Sequence, residues 1–174
     1  WQMLVEAGLT ERPKLKMLCG GEPLPKELAR SLLGIGNELW NMYGPTETTI
    51  WSSLQRITDA DQPITIGHPI ANTQLFILDQ GENIAPIGVI GELHIGGDGL
   101  AEGYFDRLDL TEKAFVPHCF AIGRPMRLYK TGDVGRRLAD GSLQLLGRSD
   151  QQIKLRGFRI ELGDLVCRLL LEKK

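Results

Sequence analysis

Apolar residues recur at helical spacing where the chain opens, and the period then shortens. Met3, Leu4 and Ala7 form one short apolar face that Gly8 ends, so residues 1–8 read as the tail of a helix. Leu15, Met17 and Cys19 alternate with Lys16 and Leu18, a period of two that predicts a strand with Met17 and Cys19 on one face. That strand runs into Gly20-Gly21-Glu22. Successive glycines let a ligand approach the backbone closely, and they also make an ordinary strand-to-helix turn. Pro25 then opens a second helix at the favoured first position, with Leu24, Leu28 and Leu32 at spacing four as its buried stripe. A further extended run over 37–43 puts Leu39, Asn41 and Tyr43 on one face and Trp40 and Met42 on the other.

From residue 64 the texture changes to short β-type runs separated by turn chemistry. Strands are predicted at about 73–79, 91–95, 126–130, 134–138 and 142–147, with one short helix at 110–115. Asp79-Gln80-Gly81 and Asp140-Gly141 supply connections, the second as a type I′ hairpin signal, so the strands pair antiparallel. The class expected is α/β to α+β. Residues 1–63 would be the end of an α/β core sheet, and 64–149 a β-rich subdomain with a curved sheet or distorted partial barrel.

Composition narrows the possibilities. A chain of 174 residues can bury about 70% of its unfolded surface, enough for a real core. Its net charge of −2 and pI near 6.0 give no whole-domain attraction for nucleic acid or an anionic membrane. No apolar run approaches the roughly 20 residues that span a bilayer. Cys19, Cys119 and Cys167 are odd in number and widely spaced, which argues for a reducing cytoplasm and against a zinc site or disulfide framework. The chain opens on Trp1 without a signal pattern and stops just after a run of Leu, so an internal piece of a longer protein is expected.

Chemistry concentrates in four stretches. In Asn41-Met42-Tyr43-Gly44-Pro45-Thr46-Glu47-Thr48-Thr49-Ile50-Trp51, Gly44-Pro45 turns the chain and presents hydroxyls with one carboxylate. Such a turn suits a polyphosphate with Mg²⁺, a hard cation that takes one or two oxygens from a protein; the plainer alternative is a helix start capped by Thr46. Gly91-Glu92-Leu93-His94-Ile95-Gly96-Gly97-Asp98-Gly99-Leu100-Ala101-Glu102-Gly103-Tyr104 is rich in glycine but opens no helix, which excludes a dinucleotide fingerprint. Asp133 in Tyr129-Lys130-Thr131-Gly132-Asp133 makes either an Asx turn or a carboxylate acceptor for the cis hydroxyls of a ribose. The fourth, residues 147–161, mixes charged and apolar positions and would ordinarily be a solvated face. His68, His94 and His118 have no partners at metal-ligand spacing and read as structural.

Asn-x-Tyr-Gly-Pro-Thr-Glu-Thr-Thr resembles the nucleotide-binding motif of the adenylation domains of nonribosomal peptide synthetases, in the superfamily that also holds acyl-CoA synthetases and firefly luciferase. The other three stretches resemble further motifs of that family in its order, so the likeness runs from about residue 14 to 164. It implies that Gly20, Gly21 and Glu22 cover one face of adenine, that Asn41 bonds its exocyclic amine, and that Tyr43 stacks on it. Gly44 would belong to the nucleotide site, Thr46 would contact the phosphates, Glu47 would hold Mg²⁺, and Thr46 and Glu47 together would be the catalytic positions. Asp133 and Arg148 would hold ribose, and Met17, Cys19, Met42, Ile50 and Trp51 would line the acyl pocket. Asp150 would be the hinge of a small lid beginning in 150–174, with Lys154 to Gly157 near the thiol acceptor. The chain departs from the family at Glu102, where Arg is usual, which puts that Arg's contacts in doubt but not the fold.

The resemblance implies ATP-dependent activation of a small carboxylic or amino acid, followed by thioester transfer to the phosphopantetheine of a peptidyl carrier domain, among neighbouring synthetase modules. An acyl- or aryl-CoA synthetase and a non-catalytic nucleotide-binding module are the alternatives. The family's triphosphate loop and the acidic anchor for a substrate's amino group would precede Trp1, and its lid lysine would follow Lys174. Residues 1–174 alone are therefore expected to form no adenylate. None of the five pocket positions is charged, and Trp51 with two Met fills space, which favours a small side chain such as that of Gly, Ala or Cys.

Overall fold

Alternation governs the first strand as predicted. In β1 (Arg12–Gly20) Met17 and Cys19 are buried while Leu18 between them is exposed. The computed structural model describes residues 1–120, 125–149, 152–155 and 158–161, the last two runs as backbone only. β1 pairs in parallel with β2 (Gly36–Tyr43), setting Cys19 opposite Asn41 and Gly20 opposite Met42. Parallel neighbours need a crossover, and α2 (Lys26–Leu33) supplies it, burying Ala29 and Leu32 with Leu24 just before it. A short α1 (Gln2–Glu6) precedes β1, and Gly8 follows it with a left-handed φ of 84°. Strands β3 (Ser53–Ile57) and β4 (His68–Pro69) add antiparallel, so the first sheet runs β1-β2-β3-β4. Met17, Leu32 and Leu39 are fully buried between sheet and helix, each contributing about 1.5–3 kcal/mol.

The second half is the β-rich region expected. β5 (Thr73–Leu78), β6 (Gly91–Gly97), β7 (Phe115–His118), β8 (Met126–Arg137) and β9 (Leu143–Arg148) form an antiparallel sheet, with α3 (Leu108–Ala114) leading into β7. β6 lies along one side of β8, while β7 pairs with the first part of its other side and β9 with the second. Leu75, Ile77, Leu93, Ile95 and Leu143 make the core of this sheet, and Tyr43 at the end of β2 packs into it. Beyond β9 the backbone forms a two-stranded ladder of β10 (Gln152–Leu155) and β11 (Phe158–Glu161).

Several sequence expectations need correction. The strands expected at 126–130 and 134–138 are one strand, because Gly132 at φ 72° and register shifts on β6 and β9 absorb the irregularity without ending the ladder. Asp140-Gly141 does connect β8 to β9, but not as type I′, since only Gly141 has positive φ. Instead Asp140 Oδ1 accepts bonds from both the amide and the hydroxyl of Ser142. Helix α3 ends at Ala114, and Phe115 starts β7 instead of closing the helix. β7 lies at the sheet edge, where Pro117 is tolerated and breaks the strand signal. β3 escapes sequence reading because only its end residues, Ser53 and Ile57, are buried.

Candidate functional site

A cleft of about 460 Å³ opens where the two sheets meet. Gly21 and Glu22 approach it from the end of β1, and Asn41 to Gly44 from the end of β2. Asp133 on β8 and Arg148 at the end of β9 form the opposite wall. Seven residues foreseen for the nucleotide thus converge: Gly21, Glu22, Asn41, Tyr43, Gly44, Asp133 and Arg148. Met42, foreseen for the acyl pocket, joins them. Gly20, Thr46, Glu47, Met17, Cys19, Ile50 and Trp51 are not among the cleft's lining residues. The apolar liners Leu24, Ile64, Ile66, Leu145 and Leu146 were not foreseen as site residues, because apolar positions on strands and loops read as core.

Asp133 is the most constrained of the site's side chains. Cross-strand register sets it opposite Arg148, whose Nη1 donates to Oδ1 at 2.9 Å, and the Tyr43 hydroxyl donates to Oδ2. Its own amide donates to Thr131 Oγ1, and that hydroxyl donates to the Leu93 carbonyl. Burial, and then the neighbouring Asp133 charge, push the Tyr43 phenol well above its ordinary value, so it stays a neutral donor. Asn41 is equally fixed. Its Nδ2 donates to the Thr65 carbonyl at 2.7 Å, and since a carbonyl only accepts, the amide's oxygen is directed away from Thr65 as an acceptor.

Pro45 leads from the cleft into a single 3₁₀ turn, Thr46–Thr48, with no side-chain cap. Thr46 is exposed, whereas Glu47 and Thr48 are buried. Glu47 accepts a bond from the Tyr104 hydroxyl at 2.6 Å on its carboxylate and one from the Ala101 amide on its carbonyl. Thr49 and Ile50 then take φ of 60° and 72°, a left-handed excursion that costs about 1–3 kcal/mol at each non-glycine residue. Ser52 bonds back to the Tyr43 carbonyl and closes the loop. Gly44 sits under that closure: a Cβ there would stand 2.4 Å from the Ile50 carbonyl oxygen, so the turn requires glycine.

The foreseen acyl-pocket residues divide. Met17 is fully buried and Cys19 nearly so, both within the core under α2, where burial pushes the Cys19 thiol up and keeps it neutral. Trp51 lies over the end of β1, its indole so near Gly20 that any Cβ would collide with it, and Ile50 is exposed. Asp150 lies outside the described residues, as do Arg156 and Gly157 of the foreseen lid segment. Glu102, in place of the usual Arg, is exposed, and Arg127 holds the segment through the carbonyls of Ala101 and Glu102. His94 packs inside the second sheet, as a structural histidine would.

No group of three or more His, Cys, Asp or Glu side chains among the described residues is placed to hold a metal ion. A single carboxylate is still enough for a Mg²⁺ that keeps most of its shell as water and phosphate oxygen, and Glu47 is the carboxylate foreseen for that role. No helix among the described residues is long and apolar enough to cross a membrane.

Known proteins resemble this chain along nearly its whole length. Residues 1–105 match the family described as AMP-binding enzyme. Tyrocidine synthase 3 of Brevibacillus parabrevis is 46% identical over 165 residues, which cover 94% of this chain and 2% of that protein. A four-domain nonribosomal peptide synthetase solved in its holo form with AMP and glycine superposes with a TM-score of 0.81 at 50% identity, over 95% of this chain and 12% of that one. A second, containing adenylation and PCP domains and solved with a vinylsulfonamide inhibitor, gives 0.81 at 36% identity, over 88% of this chain and 28% of that one. The chain therefore spans a small part of the relatives it matches. With the family match over residues 1–105 and such identity to peptide synthetases, this chain belongs to the AMP-binding enzymes, and within them to the adenylation domains of nonribosomal peptide synthetases.

Proposed function

We propose that an adenylation domain containing this chain activates a small amino acid with ATP and passes it to a carrier-domain thiol. The observation that carries the reading is Asp133, clamped by Arg148 and Tyr43 on the wall of a cleft that Gly21-Glu22 and Asn41 also line. A carboxylate has about four lone-pair positions, so one held by two donors retains capacity for the two hydroxyls of a ribose. Asn41 would present its amide oxygen to the exocyclic amine, and Tyr43 and the Gly20-Gly21-Glu22 backbone would flank the ring. The cleft volume of about 460 Å³ suits a nucleoside.

The reaction is an in-line displacement. A substrate carboxylate oxygen bonds to the α-phosphorus of ATP, the bond to the bridging oxygen breaks, and pyrophosphate leaves with the electron pair. The pantetheine sulfur then attacks the acyl carbon, and AMP leaves. No general base is needed for the first step, because the carboxylate is already ionised at neutral pH. The protein's work is placement and charge neutralisation. Mg²⁺, when bound, neutralises phosphate charge, and Glu47 would hold it with Thr46 beside the phosphates.

Three kinds of observation support the small substrate. Met42 lines the cleft and Trp51 fills the space over Gly20. No charged residue stands at the five positions foreseen for the acyl pocket. A relative 50% identical was solved with AMP and glycine; the transfer to a carrier thiol is supported separately by a relative that contains a PCP domain beside its adenylation domain. The reducing, cytoplasmic setting suggested by Cys19 and Cys119, both unbridged thiols, belongs to the same proposal. The test is exchange of labelled pyrophosphate into ATP by the adenylation domain containing these residues. Exchange that requires a small amino acid is expected; no exchange with any amino acid overturns the reading.

A further inference from the structure

We infer that Tyr104 is a positioning residue for Glu47, holding that carboxylate in the orientation the metal requires; this rests on the proposed metal role of Glu47. The two residues are 57 positions apart, and the Tyr104 hydroxyl reaches the Glu47 Oε1 at 2.6 Å. Glu47 is only 7% exposed, so its carboxylate cannot be oriented by bulk water. The segment that carries Tyr104 also binds the turn through its backbone. The Ala101 amide donates to the Glu47 carbonyl, and Thr49 Oγ1 donates to the Gly99 carbonyl at 2.7 Å. The loop after β6 is therefore a second layer behind the turn, and Tyr104 is its contact with the carboxylate itself.

Tyr104 is in turn braced from its far side. Its ring stands edge-on to Phe115 with centroids 6.0 Å apart, and the Arg127 guanidinium lies 4.4 Å over the Phe115 ring. Its amide donates to Thr111 Oγ1, which also bonds the Arg107 carbonyl at the start of α3. Rotation of the phenol would break this packing, so the hydroxyl is delivered to a fixed point. The bond from the Tyr104 hydroxyl selects the rotamer in which the Glu47 carboxylate is held. Groups that orient a metal ligand in this way characteristically change metal affinity when removed.

The experiment uses Mn²⁺ as the probe, counting free ion by its EPR signal in the presence of a non-hydrolysable ATP analogue and the adenylation domain containing this chain. Tyr104→Phe keeps the ring against Phe115 and removes only the hydroxyl. It is expected to weaken Mn²⁺ binding about tenfold, and the Tyr104→Phe/Glu47→Gln double variant should be no weaker than Glu47→Gln alone. Phe115→Leu, which loosens the packing but retains the hydroxyl, should cost thermal stability without that loss. Unchanged Mn²⁺ affinity in Tyr104→Phe, while Glu47→Gln loses it, overturns the inference and leaves the metal role of Glu47 standing. A loss in Phe115→Leu as large as that in Tyr104→Phe also overturns it, by assigning the effect to packing. No change in Glu47→Gln overturns the metal role itself, and the inference falls with it.

Discussion

Arg148 stands directly across the β8–β9 ladder from Asp133, and its guanidinium holds one carboxylate oxygen at 2.9 Å while Tyr43 holds the other. Tyr43 comes from the first sheet and Arg148 from the second, so one carboxylate ties both halves of the chain together. The pair is largely shielded, with side-chain exposures of 10% for Asp133 and 15% for Arg148. In such surroundings, losing one partner costs more than the pair itself contributes, because the other charge stays shielded from water with one charge-assisted bond fewer.

Asp133→Ala is therefore expected to do two things at once. ATP affinity of the adenylation domain should fall by about 2–4 kcal/mol from lost ribose bonds, and its stability by about 3 kcal/mol because Arg148 and Tyr43 each lose a charge-assisted bond. Tyr43→Phe should separate the two effects, since it keeps the ring beside the cleft and removes one charge-assisted bond. A stability loss of about 1.5–3 kcal/mol is expected with ATP affinity nearly intact. Urea unfolding and equilibrium nucleotide binding measure both quantities. Asp133→Ala with unchanged ATP affinity would sink the ribose assignment.

Much of this site could be read before any geometry was available. Alternation alone put Asn41 and Tyr43 on one face of β2 and Met17 and Cys19 on one face of β1, because side-chain direction on a strand has a strict period, and the structure shows that in each strand this is the buried face. Asp133 and Arg148 were found through motif resemblance. Their mutual contact was not legible, since it depends on a cross-strand register that is displaced by the irregularity at Val134 and Gly135. Tyr104 stands in the sequence only as the last residue of a glycine-rich stretch, because no local pattern reports a contact across 57 residues. The strands β3 and β7 escaped for the opposite reason: they lack apolar alternation or contain a proline.

Gly20 has a requirement that composition could not reveal. A Cβ there would lie 2.5 Å from the Trp51 indole and 2.8 Å from the Met42 carbonyl oxygen. Gly20→Ala is expected to destabilise the domain by about 1–3 kcal/mol through overpacking and to displace Trp51. Adding Trp51→Leu should restore only part of the loss, since the backbone clash at Met42 remains. Thermal unfolding of the single and double variants is the check, and an unaltered Gly20→Ala midpoint would show that the indole moves aside freely.

Histidine 94 gives the fold a pH dependence of predictable sign. Burial holds it below its ordinary value of 6.5, only partly offset by the bond from Nδ1 to the Glu92 carbonyl and by the Glu92 charge, while Lys130 and His118 add to the lowering. The folded state then binds this proton less readily than the unfolded chain. Stability should be complete above about pH 6.5 and decline as pH falls from there towards the folded-state value. Comparing unfolding midpoints at about pH 7.5 and pH 5.5 for the native protein and His94→Gln isolates the group. A decline of the same size in the variant would assign it to other residues.

Substrate size should be set in large part by Trp51. Its ring occupies the space above Gly20, and Met42, opposite Gly20 in the β1–β2 register, lines the cleft alongside. With both side chains in place, glycine and alanine are expected to support pyrophosphate exchange best. Arg and Glu should be the poorest substrates, because no opposite charge at these positions would compensate their burial. Each methylene changes discrimination by about 1–3 kcal/mol, so the preference should grade with size instead of ending abruptly. Trp51→Ala should extend exchange towards valine and leucine, raising their rates relative to glycine by about 10–200-fold per accommodated group. It should leave the apparent ATP affinity unchanged, since Trp51 is not among the residues lining the cleft beside Asp133. A native domain that prefers Arg, Glu or Trp, or a Trp51→Ala variant with the native order of preference, would show that other parts of the domain govern selection.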